Sequence, residues 1–400
     1  MELEVLTSLP VDRQQATLIG RAWIGGAVPG PAVVAVRGDE VYDLSRSTPT
    51  VSALLARGDA LALARAAHAP KLGALAELLA NSGQSSRQPM RQSMRPRAPF
   101  LLAPIDLQVI KASGVTFAAS LIERLIEEQA RGNPEAAEAV RQRIVAVVGD
   151  DLRAIKPGSE TAMKLKATLL GQGLWSQYLE VGIGPDAEIF TKSPVLSAVG
   201  TGAEIGIHPQ SRWNNPEPEV VLAVNGAGET VGATLGNDVN LRDFEGRSAL
   251  LLGKAKDNNG SCAIGPFIRL FDEHFTIDDV RQAEITVTVT GDDGFELKGR
   301  SSMREISRDP LELVAEAIGP AHQYPDGLML FLGTMFAPIQ DRGEKGAGFT
   351  HKIGDIVSIA TPKLGTLVNR VDRSDRIPPW RFGLGDLMQN LAQRGLLARA

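Results

Sequence analysis

Three carboxylates stand out by type and spacing. Within NNPEPEVVLAVNGAGETVGATLGNDVNLRDFEGR, residues 214–247, Glu217 and Glu219 are two apart and Asp238 follows on a second β-type run. Side chains two apart in an extended chain share a face, so the two glutamates emerge roughly 7 Å apart at their bases. Buried together, such like charges repel; a divalent cation turns them into a chelate. Oxygen donors with no His or Cys nearby select magnesium, or manganese, over zinc or copper. An E-x-E pair alone is more often a solvent-facing feature of an edge strand. The next residues, VVLAV, favour the chelate: a run apolar on both faces belongs to a strand covered on both sides, with the glutamates at its end.

Asp238 can share a cation with the glutamates only in one register. If 219–224 and 230–238 form an antiparallel hairpin, opposite residues share a face, and a slip of one residue sends every side chain to the other face. Pairing Val224 with Thr230 throughout sets Asp238 opposite Pro216, on the wrong face. Pairing Asn225 with Thr230 across a four-residue loop, Gly226 to Glu229, sets it opposite Glu217, and a β-bulge at Gly232 or Gly236 makes the same shift. The expectation is that loop or a bulge.

The elements that must carry these groups are short. EVVLAV (219–224), TVGATLG (230–236), EITVTVTG (284–291), FELKGR (295–300), LMLFLG (328–333), DIVSIATP (355–362) and GTLVNRV (365–371) read as strands, with short helices at 245–254, 276–283 and 309–318. Strands that come in runs, not alternating with long helices, indicate an α+β protein with a mixed or antiparallel sheet. Upstream, TLIGRAW, PAVVAVRG and EVYDLS read as strands within 17–44, and leucines from Leu54 to Leu79 recur at helical spacing. NSGQSSRQPMRQSMRPRAP, residues 81–99, lacks periodicity and reads as a linker. It divides a small N-terminal α/β domain, residues 1–80, from a catalytic domain, residues 100–400. A longer helical stretch starts at Phe117 and runs to 149, broken near Gly132-Asn133-Pro134.

The whole chain narrows the partners. Its 42 basic and 47 acidic residues give a net charge of −5, so no broad footprint for nucleic acid or an anionic membrane exists, and a small molecule is expected. The single cysteine, Cys262, rules out an intramolecular disulfide and multi-cysteine metal sites and suits a reducing cytoplasm. The start, MELEVLTSLPVDRQQ, is not a signal peptide, and no run approaches about 18 apolar residues, so neither secretion nor membrane insertion is expected. The five histidines are dispersed and a structural role is the default for each; His351 lies in a Gly-rich stretch and would reach the site only on a mobile loop. Cys262 reads as a packing residue.

Five elements in order, PEPEVVLAV, GNDVNLRD (236–243), K-x5-CAIGP ending at Pro266, LGT (332–334) and KIGD (352–355), resemble the signature of the fumarylacetoacetate hydrolase superfamily over about residues 105–371. The resemblance implies a mixed β-roll fold in which Glu217, Glu219 and Asp238 bind catalytic magnesium, manganese being an alternative. It implies that Lys256, with Lys254 a weaker competitor, lies beside a bound 2-keto acid and that Thr334 holds the substrate carboxylate, although Met335 stands where the family usually has proline. Arg242 and Asp243 match an Arg-Asp pair read as a salt bridge, and a homodimer or homotetramer is implied.

Hydrolases of the superfamily carry G-x-N-Y-x-x-H-x-x-E, whose His-Glu pair activates water. The matching stretch here, GVTFAASLIE (114–123), has Ser120 at the histidine and keeps Glu123. A serine is no base near neutral pH, so hydrolytic C–C cleavage loses its activating group. The serine version, with WNNPEPEVVL and GATLGNDVNLRDFEGRSALLL, resembles the 2-keto-3-deoxy-pentonate dehydratases, most closely those acting on the D-xylonate derivative. A 2-keto acid chelating magnesium has acidified C3 hydrogens, so loss of the C4 hydroxyl and tautomerisation would give 2-oxoglutarate semialdehyde. Lys256 is then the expected base, its pKa lowered by desolvation, or else the stabiliser of the enolate, Glu123 the acid for the departing hydroxyl and Ser120 the group that positions it. Without the resemblance, Glu123 reads as a helix-surface partner of Arg124. Competing readings are an acylpyruvate or fumarylpyruvate hydrolase, an oxaloacetate-type decarboxylase, and a 2-keto-acid-binding protein without turnover.

Overall fold

The computed structural model describes residues 2–66, 68–85, 99–131, 133, 136, 137, 139, 142, 155–171, 175–336, 338, 340–342 and 348–397. In chain order its strands begin with β1 Leu18–Ile24, β2 Gly30–Arg37, β3 Glu40–Asp43, β4 Lys71–Ala74, β5 Phe100–Leu102 and β6 Val109–Gly114. They continue with β7 Glu188–Ser193, β8 Glu204–Ile207, β9 Asn214–Asn215, β10 Pro218–Val224, β11 Thr230–Asp238 and β12 Asn240–Leu241. The last six are β13 Cys262–Leu270, β14 Glu284–Thr290, β15 Glu296–Ser302, β16 Leu328–Phe331, β17 Ile356–Thr361 and β18 Gly365–Arg373.

Strand β10 is buried along its whole length, and what covers its two faces defines the architecture. It lies inside an eleven-stranded mixed sheet of order β4-β3-β2-β1-β13-β11-β10-β16-β6-β7, with β5 beside β1. Val220, Leu222 and Val224 share one core with Val287, Val289, Val357, Ile359 and Leu367 of a five-stranded sheet, β15-β14-β17-β18-β8. Val221 and Ala223, pointing the other way, pack with Leu54, Leu55, Ile110 and Ile264. The doubly apolar VVLAV run is thus a strand between two layers. Both sheets combine antiparallel pairs with one parallel pair, β6 beside β16 and β8 beside β18, and no barrel closes.

The N-terminal strands join the main sheet directly. Leu18 and Ile19 of β1 pair with Arg269 and Ile268 of β13, so β1 to β4 extend the sheet that carries Asp238. The leucine-rich stretch forms helices Val51–Leu55, Ala60–Arg65 and Leu75–Ser85, with β4 between the last two. Helical leucine spacing hid β4, whose residues pair with β3. The expected linker begins inside the helix Leu75–Ser85, and its residues 86–98 lie outside the described residues, as does most of the expected helix beyond Arg131.

The helix Ala118–Gln129 matters for the site. Leu121, Leu125 and Ile126 form its apolar stripe, and Glu123 and Glu127 are buried with them. The Ser120 hydroxyl accepts from the Phe117 N–H at 3.3 Å and donates to the Phe117 carbonyl at 2.8 Å, which fixes the first turn. The other short helices fall near their expected places, at Leu252–Lys256, Ile277–Arg281 and Pro310–Ala317.

Candidate active site

The β10/β11 hairpin contains the bulge that the carboxylates require. Val224 pairs with Thr230 but Ala223 pairs with Gly232, so Val231 is the extra residue, one position before the glycine expected to host it. From there the register runs to Pro218 opposite Asn237, and the Asp238 N–H donates to the Glu217 carbonyl at 3.1 Å. Glu217, Glu219 and Asp238 are all buried, and each offers an oxygen within 4.8 Å of the others. Among the described residues no other trio of His, Cys, Asp or Glu side chains converges in this way. A buried all-oxygen set of this kind fits a hard divalent cation.

Three cations surround the trio. Lys256 Nζ, at the end of its short helix, lies 2.7 Å from Glu217 Oε2 and 3.0 Å from Asp238 Oδ2. Lys192, fully buried on β7, reaches Asp238 Oδ1 at 2.8 Å and donates to the carbonyls of Val239 at 3.3 Å and Lys256 at 2.5 Å. Arg124 donates to Glu217 Oε1 at 2.8 Å and also pairs with Glu127 at 2.6 Å and Glu245 at 3.0 Å. Glu219 instead accepts the Gly333 N–H at 2.6 Å. Burial, then the charges of Asp238 and Glu217, raise the Glu219 carboxyl well above its usual range. Burial pulls the Lys256 ammonium down, but Asp238, Glu217 and Glu245 outweigh it and hold the proton on, so its pKa is raised and not lowered toward neutrality as expected.

A small cavity of about 20 Å³ opens beside the trio, lined also by Ser120, Arg124, Glu188, Phe190, Glu245 and Thr334. Two glycines make room for it. A Cβ on Gly114 would meet Glu188 Oε2 at 1.8 Å, and one on Gly333, whose φ is +89°, would meet Thr116 Oγ1 at 2.0 Å. Between Gly114 and Thr116, Val115 sits in the left-handed region at φ 56°, which is uncommon for a β-branched residue and concentrates at functional sites. Thr116 clamps that turn by donating to the Leu332 carbonyl at 2.7 Å and accepting the Ser307 N–H at 2.8 Å.

Of the residues singled out from the sequence, Glu217, Glu219, Asp238, Lys256, Ser120 and Thr334 come together around this cavity. Lys254 is exposed, with its ammonium 5.1 Å from the Phe244 ring, which leaves Lys256 as the inward lysine. Glu123 does not line the cavity; its Oε2 accepts from Arg242 at 2.8 Å. Arg242 also pairs with Glu127 at 2.6 Å and lies 4.4 Å over the Trp213 ring. Asp243 turns the other way, accepting from Ser211 and the Arg212 N–H, so the adjacent Arg242 and Asp243 are not a salt bridge to each other. His351 is buried beside Asp355, Nδ1 to Oδ2 at 3.1 Å, apart from the cavity lining. Cys262 is buried, which pushes its thiol up to about 12.

Sequence reasoning missed Lys192, Glu188, Glu245 and the role of Arg124. A signal existed for two of them in the i, i+2 spacing of Glu188, Phe190 and Lys192: Glu188 and Phe190 line the cavity, and Lys192, the extra residue of a bulge against β6, reaches Asp238.

Residues 180–372 match the sequence model for the fumarylacetoacetate (FAA) hydrolase C-terminal region. Those residues form a domain of the fumarylacetoacetate hydrolase superfamily. A 2-dehydro-3-deoxy-D-arabinonate dehydratase of Saccharolobus solfataricus is 30% identical over 211 residues, 53% of this chain and 66% of that protein. A probable 2-keto-3-deoxyxylonate dehydratase of Haloferax volcanii is 30% identical over 194 residues, 48% of this chain and 63% of that protein. The chain therefore spans about two thirds of the length of the curated relatives it matches. Solved structures share the fold. A 2-keto-3-deoxy-D-arabinonate dehydratase complexed with magnesium and 2,5-dioxopentanoate superposes at a TM-score of 0.59, with 21% identity, covering 89% of this chain and 99% of that one. A fumarylacetoacetate hydrolase from Exiguobacterium antarcticum superposes at 0.52, with 16% identity, covering 90% and 100%.

Proposed function

We propose that this protein is a magnesium-dependent dehydratase of a 2-keto-3-deoxy-pentonate, the D-xylonate derivative foremost, with 2-oxoglutarate semialdehyde as product. The observation that carries the reading is the buried trio Glu217, Glu219 and Asp238 beside Lys256 in a cavity with no imidazole on its wall. Relatives named as pentonate dehydratases, and a like-folded one complexed with magnesium and 2,5-dioxopentanoate, support it.

Glu217, Glu219 and Asp238 would hold the magnesium ion. Bound there, it supplies Lewis acidity to the 2-keto group and so acidifies C3. Three protein oxygens are fewer than the six that magnesium takes, which leaves room for the oxygens of a 2-keto acid. Lys256 is held as an ammonium by Glu217 and Asp238; were those carboxylates to bind a cation, that hold would weaken, and the ammonium could give its proton to water and then, as a neutral amine, accept one from C3. Thr334, buried on the cavity wall, is placed to take the substrate carboxylate, and its Oγ1 is oriented by the Phe336 N–H at 3.0 Å. Ser120, also on the wall, has its own proton on the Phe117 carbonyl and can accept from a substrate hydroxyl. Glu123, bonded to Arg242, acts in this scheme through Arg242, Glu127 and Arg124, which hold Glu217 in place.

Incubation with D- and L-2-keto-3-deoxypentonates and magnesium should release the semialdehyde, and EDTA should abolish it. Cleavage of acylpyruvates with no dehydration would make the protein a hydrolase instead, and binding without turnover of either class would make it a 2-keto-acid-binding protein.

A further inference from the structure

We propose that Glu245 is a proton relay between the catalytic cavity and a second, outer pocket that it also lines. The idea rests on the dehydration proposed above. Glu245 is 4% exposed, yet it belongs to the walls of two spaces: the small cavity with the carboxylate trio, and a pocket of about 550 Å³ bounded by Glu128, Arg131, Tyr178, Arg247 and Ser248. Arg124, 3.0 Å away, ties the carboxylate to the same guanidinium that holds Glu217.

The chemistry calls for such a group. Turning the pentonate into the 2,5-dioxo acid removes a proton from C3 and hydroxide from C4, which leave as water. It then removes the C5 and O5 protons and places one proton on C3 and one on C4. C5 rises from alcohol to aldehyde while C4 falls from alcohol to methylene, so no outside oxidant or reductant enters. Two protons must therefore be taken up and returned beside the substrate, and Lys256 can hold one of them. Glu245 delivers its carboxylic proton inward and regains one from water in the outer pocket. Its surroundings suit that task. Burial pushes the carboxyl up to about 7 against the opposing pull of Arg124 and Lys256, with Glu127 and Glu217 adding to the rise. Glu128, Arg131, Tyr178 and Arg247 face it from the outer pocket.

The test uses the magnesium-loaded full chain in D2O, with 2-oxobutanoate as a substrate analogue that has C3 hydrogens and no leaving group, and follows C3 deuteration by proton NMR. The wild type should exchange. Glu245→Gln, which keeps the shape and removes the ionisable carboxyl, should exchange at least about a hundredfold more slowly. Its Mn2+ affinity, read by EPR, should stay within twofold. Added formate should restore exchange to Glu245→Ala, because a small carboxylic acid can enter from the outer pocket. Exchange absent from the wild type, equal in Glu245→Gln, lost together with Mn2+ binding, or not restored by formate overturns the relay. Exchange that behaves as expected in a protein that dehydrates no pentonate overturns only the reaction, and leaves the relay standing.

Discussion

Each carboxylate of the trio is held by a different kind of partner, and the differences predict different losses. Glu217 and Asp238 are bridged by Lys256 and backed by Arg124 and Lys192, whereas Glu219 rests on a backbone N–H. Glu217→Gln and Asp238→Asn each remove one negative charge with little change of volume. Both should lower magnesium-dependent turnover by more than about a hundredfold while the circular dichroism spectrum is kept. Near-normal turnover in both would remove the metal site from the mechanism. Lys192 makes a separate case because it is fully buried and carries the Asp238 pairing together with two carbonyl contacts. Deleting one partner of a buried ion pair leaves the other uncompensated, at a cost of about 3–5 kcal/mol. Lys192→Met should therefore lower the melting temperature of the EDTA-treated protein steeply, and magnesium should recover part of the loss by giving Asp238 a new partner. Equal losses with and without magnesium would show that Lys192 supports the strand alone.

At the scale of the element, what could be read from the chain divides along local and non-local lines. The VVLAV run showed its double burial because both faces are written into consecutive residues, and the need for Asp238 to meet Glu217 required either a longer loop or a bulge. The choice between them lay in the turn, where Asn225 accepts the Ala227 and Glu229 N–H groups with its side chain and so keeps Val224 opposite Thr230. Removing Val231 should send Asp238 to the far face, abolish Mn2+ binding measured by EPR and leave a folded hairpin; retained binding would mean that the bulge moves to Gly236. The partners of Glu123, Arg124 and Arg242 were not legible for the opposite reason. Glu123 and Arg242 are 119 residues apart, so nothing local told Arg124 to pass over Glu123 and reach Glu217, Glu127 and Glu245. Likewise β4 was masked by leucines that also suit a helix, and only its pairing with β3 decides between the two.

On the scale of the whole molecule, the N-terminal residues complete the sheet that carries the site. β1 covers the edge of β13, whose other side pairs with β11 and places Cys262 opposite Asp238. A chain lacking residues 2–85 would expose that edge and the faces of Val221, Ala223, Ile264 and Ile268, now packed with Leu54 and Leu55. Such a variant should aggregate on expression, a fate of unprotected hydrophobic edges, and recovery of a soluble, Mn2+-binding fragment would instead mark residues 2–85 as an independent unit. The same pairing orders events on the ribosome. Leu18 finds its partner in Arg269, 251 residues later, so at translation rates of about 5–20 residues per second β1 waits roughly 13–50 s for the strand it must join. Throughout that interval the nascent chain carries an open β-edge, and its yield in a cell should follow the supply of chaperones that shield such edges more closely than the equilibrium stability of the finished protein.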